Sequence, residues 1–287
     1  MLIGQFWGTS AAEGCPAPFC RCDTCNYARI HGGKNIRLRS CFRLSDEIML
    51  DLGADAVVQS MRFGELSQVN HVLFSHTHDD HLNPHMLMEA MWSKQYRETL
   101  HCYFTDQAYE IVEHWRQSPW ILKGMVPEWE KQGYVAFHRL QFGQRARIAD
   151  IEVIPFRGNH PGNVGEQAAL YLIFLPDGRT LFYGLDSGDY LPETIDALKA
   201  YHIDFFISEA TGGTQDKIIH KVHQSIRQVR DLTEILFKQG TLDPNSRLYL
   251  THISHNYFST YPNLLAKVEE LAFPIPATVA YDGLKIL

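Results

Sequence analysis

Seven consecutive residues, Ser75-His76-Thr77-His78-Asp79-Asp80-His81, carry three imidazoles and two carboxylates directly behind the apolar run Val72-Leu73-Phe74. At an extended strand end, residues two apart point the same way, so His76 and His78 can share one ion while the following turn brings Asp80 and His81 toward a second. Chance is a poor source of this string: 15 histidines spread over 287 residues rarely fall into an H-x-H-x-D-H spacing just past a strand. Further donors lie downstream, each near the end of an apolar run. His160 follows Ile151 to Phe156, Asp186 sits in Gly184-Leu185-Asp186-Ser187-Gly188, and His252 follows Tyr249-Leu250-Thr251. His160 completes a site with His76 and His78, His252 joins Asp80 and His81, and the two carboxylate oxygens of Asp186 can bridge a pair of ions.

A second donor set stands near the N-terminus, where Cys20, Cys22 and Cys25 form a C-x-C-x-x-C run. Soft thiolates at this spacing suit a tetrahedral zinc. Three thiolates leave one position, and His255, three residues after His252, is the expected fourth ligand. A redox pair or plainly buried thiols are the competing readings of such a run. Cys15, Cys41 and Cys102 have no comparable spacing and are expected to be ordinary buried thiols.

The chemistry this donor set offers is hydrolysis. Two ions about 3.5–4 Å apart can lower the pKa of a shared water and orient it, which suits attack on a phosphodiester, whose negative charge repels an unaided hydroxide. Asp80 and Asp186 are therefore expected to be catalytic as well as metal-binding. A leaving alkoxide needs a proton, and a histidine outside the metal shell can supply it. His223, opening His223-Gln224-Ser225-Ile226-Arg227-Gln228-Val229, is the candidate, with His220 the alternative and a solvent-facing helix-start histidine the plainer reading. Glu209 can orient a ligand from behind. Lys34, Arg37, Arg39 and Arg43 are possible phosphate contacts, although a basic loop is more often solvated surface.

In order and in type, His76, His78, Asp80, His81, His160, Asp186 and His252 match the ligand series of the metallo-β-lactamase superfamily of binuclear hydrolases, and the resemblance runs from Gly8 to Gly283. It implies an α/β architecture, an αββα sandwich of two mixed sheets face to face with helices outside. Within that superfamily, Gly8, Thr9, Ala12, Gly14 and Pro16, followed by the three cysteines and Thr251-His252-Ile253-Ser254-His255, resemble the phosphoribosyl 1,2-cyclic phosphate phosphodiesterases of the carbon-phosphorus lyase pathway. That family implies two catalytic divalent ions, manganese or zinc, one structural zinc, and a small cyclic sugar phosphate or nucleotide-like diester as substrate. The pyrroloquinoline quinone biosynthesis protein B group carries a similar cysteine run but typically an altered central histidine motif, so the intact H-x-H-x-D-H argues against that non-catalytic relative. A lactonase, thioesterase or RNA-processing nuclease on the same scaffold is the other alternative. Two stretches depart from the phosphodiesterase pattern, Leu82-Asn83-Pro84-His85 and Thr211-Gly212-Gly213, and both lie where substrate would bind.

The elements that must position these groups read as strands at Leu2 to Trp7, Glu47 to Leu52, Val69 to Phe74 and Leu100 to Phe104, with helix after His81 and over Asp106 to Trp115. Ile148 to Phe156, Ala169 to Leu175, Thr180 to Gly184, Phe205 to Ser208, Arg247 to Thr251 and Thr278 to Tyr281 read as further strands, and Pro192 to Tyr201 and Gln224 to Gln239 as helices. No linker divides the chain, so residues 1–287 are expected to form one domain. The stretch 92–129, with Trp92, Trp115, Trp120 and Trp129, is read as core, with a lid or a homodimer face as alternatives. Hydrophobic content of 45% supports a sizeable core, and a formal charge of -7 gives no broad basic surface, so no nucleic-acid partner is expected. The start has no signal-like h-region and no apolar run reaches membrane-spanning length, which leads to the expectation of a cytoplasmic enzyme without a membrane partner.

Overall fold

Along the strand Phe205–Glu209, Phe205 and Ile207 point to one side and Phe206 to the other, and the two sides enter different hydrophobic clusters. The same period-two sorting, repeated in every central strand, layers the molecule. The computed structural model describes residues 1–96, 98–119, 121–216 and 221–287. Among them, one sheet contains β1 (Leu2–Gly8), β2 (Cys41–Ser45), β3 (Ile48–Leu50), β4 (His71–Leu73), β5 (Leu100–Thr105) and β6 (Val135–Leu140) in that spatial order. The other contains β7 (Ala146–Ile148), β8 (Ile151–Pro161), β9 (Gln167–Phe174), β10 (Thr180–Gly184), β11 (Phe205–Glu209), β12 (Arg247–Thr251) and β13 (Ala277–Val279), again in order. Both sheets are mixed. In the first, β1 to β3 pair antiparallel and β3 to β6 parallel. In the second, β7 to β10 are antiparallel and β10 to β13 parallel.

Leu44, Leu50, Leu73, Val153, Tyr171, Leu181 and Ile207 fill the space between the sheets. The outer face of the first sheet, with Trp7, Met49, Val72 and Phe74, is covered by α2 (Ala56–Phe63), α3 (His85–Trp92), α4 (Asp106–Gln117) and α5 (Val126–Lys131). The outer face of the second, with Leu170, Leu172, Phe182 and Phe206, is covered by α6 (Pro192–Leu198), α7 (Ile226–Lys238) and α8 (Tyr261–Leu271). The expected αββα sandwich is therefore present. Burying each such leucine or phenylalanine contributes roughly 1.5–3 kcal/mol, so three continuous clusters suffice to hold the sheets in register. Among the described residues no helix is long and apolar enough to cross a membrane.

Several elements were not legible beforehand: α1 (Asp23–His31), β2, α2, α5, β6, β7 and α8. Strand β2, Cys41-Phe42-Arg43-Leu44-Ser45, is buried on both faces, so the alternation that marks a half-exposed strand is missing. Arg43 lies inside it, buried, with its guanidinium 5.2 Å from the Trp7 ring. The reading of a solvated basic loop is thus overturned there, and also for Arg37, which is buried and donates to Thr9 Oγ1 at 2.8 Å and the Ala280 carbonyl at 2.7 Å. Helix α7 begins at Ile226 behind a Ser225–Gln228 capping box, so His223 precedes the helix rather than opening it. In the Trp-rich stretch, Trp129 is buried and Trp115 packs on the outer core, while Trp92 is 68% exposed. Trp120 and His220 lie outside the described residues.

Candidate metal centre

Strands β3, β4, β8, β10, β11 and β12 all release their C-terminal ends along one edge of the sandwich, and the chain places its polar donors there. His160 is the penultimate residue of β8, Asp186 lies two residues past β10, Glu209 ends β11, and His252 immediately follows β12. A rigid scaffold thereby brings together groups separated by up to 176 positions in a 287-residue chain, as 252 minus 76.

Two four-donor groups result. In one, His76, His78, His160 and Asp186 offer ligand atoms all within 4.8 Å of one another; in the other, Asp80, His81, Asp186 and His252 do the same. His76 Nε2 lies 2.9 Å from His78 Nδ1, and His160 Nε2 lies 3.3 Å from the same atom. Donors held about 2.0 Å from a tetrahedral ion sit about 3.3 Å apart, so these separations suit an ion between them. Asp186 belongs to both groups. Its Oδ2 is 3.2 Å from His76 Nε2 and 3.0 Å from His81 Nε2, and its Oδ1 is 3.1 Å from His252 Nε2. Among the described residues, buried Asp186 Oδ1 makes no hydrogen bond, which leaves a carboxylate oxygen facing the donors.

The far side of four of the five rings is held. His81 Nδ1 meets Asp51 Oδ2 at 2.7 Å, His252 Nδ1 meets Thr211 Oγ1 at 2.8 Å, His160 Nδ1 meets the Val222 carbonyl at 3.0 Å, and His76 Nδ1 meets Ser75 Oγ at 3.0 Å. Such partners fix ring orientation and raise donor basicity. Asp51 is the hub that sequence reasoning missed. Besides His81 it accepts from the Ser75 backbone N–H at 2.8 Å, Ser75 Oγ at 3.0 Å and Tyr183 Oη at 3.0 Å. The available signal was Asp51-Leu52-Gly53 just past a strand. A Cβ on Gly53 would lie 2.0 Å from the Asp80 carbonyl, so only glycine lets this turn approach the ligand loop. Asp51, Asp186 and His252 all have left-handed backbones, with φ of 61°, 45° and 55°. Strain of this kind persists where surrounding bonds over-determine it, and it clusters at functional sites.

The electrostatics match this assembly. Burial and then the neighbouring His81 push His76 down to about 4, leaving the neutral imidazole that binds metal. Burial, followed by His160, lowers His78 as well. Burial also disfavours charge on His81, yet Asp80, Asp51 and Asp186 together outweigh it and raise that group well above the ordinary range. Asp186 is held well below the usual carboxylate range despite complete burial, chiefly by His252 and His81. Three carboxylates, Asp51, Asp80 and Asp186, thus gather at the centre, which suits divalent cations.

The thiol cluster also assembles. Ligand atoms of Cys20, Cys22, Cys25 and His255 lie within 4.8 Å of one another, with His255 Nδ1 3.6 Å from Cys20 Sγ and 3.4 Å from Cys22 Sγ. Zinc–sulfur and zinc–nitrogen distances in a tetrahedron place S and N about 3.5 Å apart, in agreement. Cys22 caps α1, and burial pushes the Cys25 thiol up to about 12, so a cation is what would hold it as thiolate. Cys15, Cys41 and Cys102 are buried, as expected.

The beta-lactamase superfamily domain model matches residues 47–253, a span containing the whole histidine and aspartate centre. The chain belongs to the beta-lactamase superfamily. Comparison with curated proteins finds no match. Solved structures do match this beta-lactamase superfamily chain over its full length. A diphosphatase from the PhnP family aligns with a TM-score of 0.71 at 17% identity, covering 99% of this chain and 96% of that one. Zinc-bound PqqB from Methylobacterium extorquens gives 0.74 at 15% identity, covering 100% of both chains. The short form of human tRNase Z gives 0.61 at 17%, covering 100% of this chain and 99% of that one. These likenesses establish the metallo-β-lactamase fold.

His223 and Glu209 flank the centre of this superfamily member. His223 Nδ1 is 3.1 Å from Glu209 Oε2 and 3.6 Å from Asp186 Oδ1, and its ring lies 4.7 Å from that of His160. Buried Glu209 also accepts from the backbone N–H groups of Ser187 at 3.1 Å and Gly188 at 3.0 Å. Burial opposes charge on His223, but the Glu209 carboxylate outweighs it, with help from Asp186 and Asp80, and raises its pKa to about 9. Lys34, Arg37, Arg39 and Arg43 have their partners elsewhere: Arg39 pairs with Asp55 at 2.6 Å, and Lys34 Nζ sits 4.1 Å over the Tyr281 ring.

Proposed function

We propose that this chain is a two-metal hydrolase acting on a phosphodiester, a small cyclic sugar phosphate or nucleotide-like diester. The observation that carries the reading is Asp186, the one residue common to both donor groups, whose Oδ2 lies 3.2 Å from His76 Nε2 of the first and 3.0 Å from His81 Nε2 of the second, with Oδ1 3.1 Å from His252 Nε2. Divalent ions such as manganese or zinc, held by His76, His78, His160 and Asp186 and by Asp80, His81, Asp186 and His252, would acidify a shared water and neutralise phosphate charge. The chain's own residues do the rest. Asp186 keeps the two donor groups in mutual register, while Asp51, Thr211 and the Val222 carbonyl hold the imidazoles aimed inward. His223 is the proton donor to the leaving alkoxide. Its Nδ1 is anchored on Glu209, which leaves Nε2 free for the reaction, and Glu209 keeps it protonated at neutral pH. Cys20, Cys22, Cys25 and His255 would hold a structural zinc whose last ligand lies three residues from His252.

Hydrolysis of an aryl phosphodiester by manganese-loaded protein, beside aryl monoester, lactone and thioester substrates, tests the reaction class. Diester turnover supports the proposal. Turnover of a lactone or thioester alone moves the assignment to another hydrolase, and no turnover with full metal loading moves it to a non-catalytic metal protein. His223→Ala is expected to lower kcat by about 10²–10⁴-fold with metal content intact, and the loss should shrink as the leaving group becomes more acidic. An equal loss across leaving groups would assign His223 to binding. In Glu209→Gln the imidazolium loses its anionic neighbour, so its proton leaves at lower pH and the alkaline limb of the kcat profile should move to lower pH. A limb that stays in place would separate His223 from that titration.

A further inference from the structure

The loop after His160 reaches across to the first ligand loop and grips one residue of it. Thr77 stands between His76 and His78 and is fully buried. Its N–H and Oγ1 both donate to Glu166 Oε1, the hydroxyl at 2.5 Å, and its carbonyl accepts from Asn163 Nδ2, also at 2.5 Å. Among the described residues, the backbone-to-backbone bonds within the ligand loop fall at its far end, where the His81 and Leu82 N–H groups donate to the His78 carbonyl at 2.9 and 2.8 Å. Thr77 therefore has its polar groups satisfied by the His160 loop. Leaving such a buried group unmet costs about 1–3 kcal/mol, so the two loops are tied firmly.

The short turn Gly162 to Glu166 is shaped for this grip. The Gly162 N–H donates to the Glu166 carbonyl at 2.7 Å, and the Glu166 N–H donates to the Asn163 carbonyl at 3.2 Å. A Cβ on Gly162 would lie 2.2 Å from Glu166 Oε1, so glycine is needed for the carboxylate to lie where it does. Between the two gripping residues, Val164 is 95% exposed at a φ of 55°. A β-branched side chain in that conformation costs about 1–3 kcal/mol and here gains no burial in return. The bonds of Asn163 and Glu166 to Thr77 are what hold the turn in this shape.

We propose that Asn163 and Glu166 are positioning residues that set the metal affinity of the His76, His78 and His160 half of the centre, by fixing Thr77 and with it the relative placement of those three imidazoles. The inference rests on the two-metal reading above. It assigns the two halves different supports. Asp51 holds His81 directly in the other half and reaches His76 only through Ser75 Oγ, whereas Thr77 carries the link between the H-x-H pair and His160.

The test is manganese binding by calorimetry to protein freed of metal at the histidine and aspartate centre but still holding zinc at the cysteine site, with bound stoichiometry checked by mass spectrometry. Wild type should take up two ions. Glu166→Ala and Asn163→Ala should each weaken one of the two binding steps by about 10–100-fold, leaving the other step and the cysteine-site zinc in place. Glu166→Gln should restore tight binding. A glutamine oxygen can accept the same two bonds from Thr77, and among the described residues buried Glu166 Oε2 has no hydrogen-bond partner for the substitution to remove. If Glu166→Ala fails to fold, Asn163→Ala carries the comparison alone. Wild type binding two ions with both alanine variants binding them equally tightly would overturn the inference while leaving the two-metal reading standing. Wild type binding no ion in this half would sink both.

Discussion

Asp186→Ala is expected to lower phosphodiester turnover by about 10³-fold or more and to reduce bound metal in both halves of the centre. Removing a single oxyanion-stabilising donor typically costs about 10²–10³-fold, and Asp186 contributes an oxygen to each of two donor groups. Its neighbours make compensation improbable: His76, His81 and His252 all direct Nε2 at this one carboxylate. The five imidazoles of the two groups would then lack the carboxylate they share, and less negative charge would remain to hold divalent cations. Metal content and kcat measured on the same preparation decide the matter. Wild-type metal content with wild-type turnover would remove Asp186 from the centre.

Cys22→Ser should cost about one zinc per chain and several kcal/mol of stability, since structural zinc binding in small sites amounts to about 10–16 kcal/mol and is coupled to folding. The cysteine run and His255 belong to distant parts of the chain, and they meet through Cys22 Sγ and Cys20 Sγ at 3.4 and 3.6 Å from one imidazole nitrogen. Losing the ion would free the segment from His252 to His255 as well as the turn before α1. His255→Ala should therefore reproduce the zinc loss and also weaken the metal centre, because His252 shares that segment. Zinc content by mass spectrometry and the thermal midpoint check both variants. Unchanged zinc in both would assign the cysteines to the core.

The clustering of these candidate donors was readable before any folding because metal chemistry constrains residue type and spacing so tightly. His76, His78, Asp80 and His81 crowd into six positions, and His160, Asp186 and His252 each follow an apolar run whose end marks a strand. The same constraint exposed the C-x-C-x-x-C run. Strand and helix types followed from period where one face is solvated, as in α7, and failed where both faces are covered, as in β2.

What only the tertiary structure decided is the supporting shell. Asp51, Thr211, Asn163 and Glu166 are common polar residues with no distinctive spacing, and each matters because a particular atom of another loop lies within hydrogen-bond reach. Arg37 and Arg43 illustrate the converse: their charge suggested surface, yet hydrogen bonds and an aromatic face allow them to be buried. Metal ligands are legible in sequence because the ion dictates the donor atoms. The groups that orient those ligands are dictated by long-range packing, which assigns a role to whichever polar side chain the fold delivers.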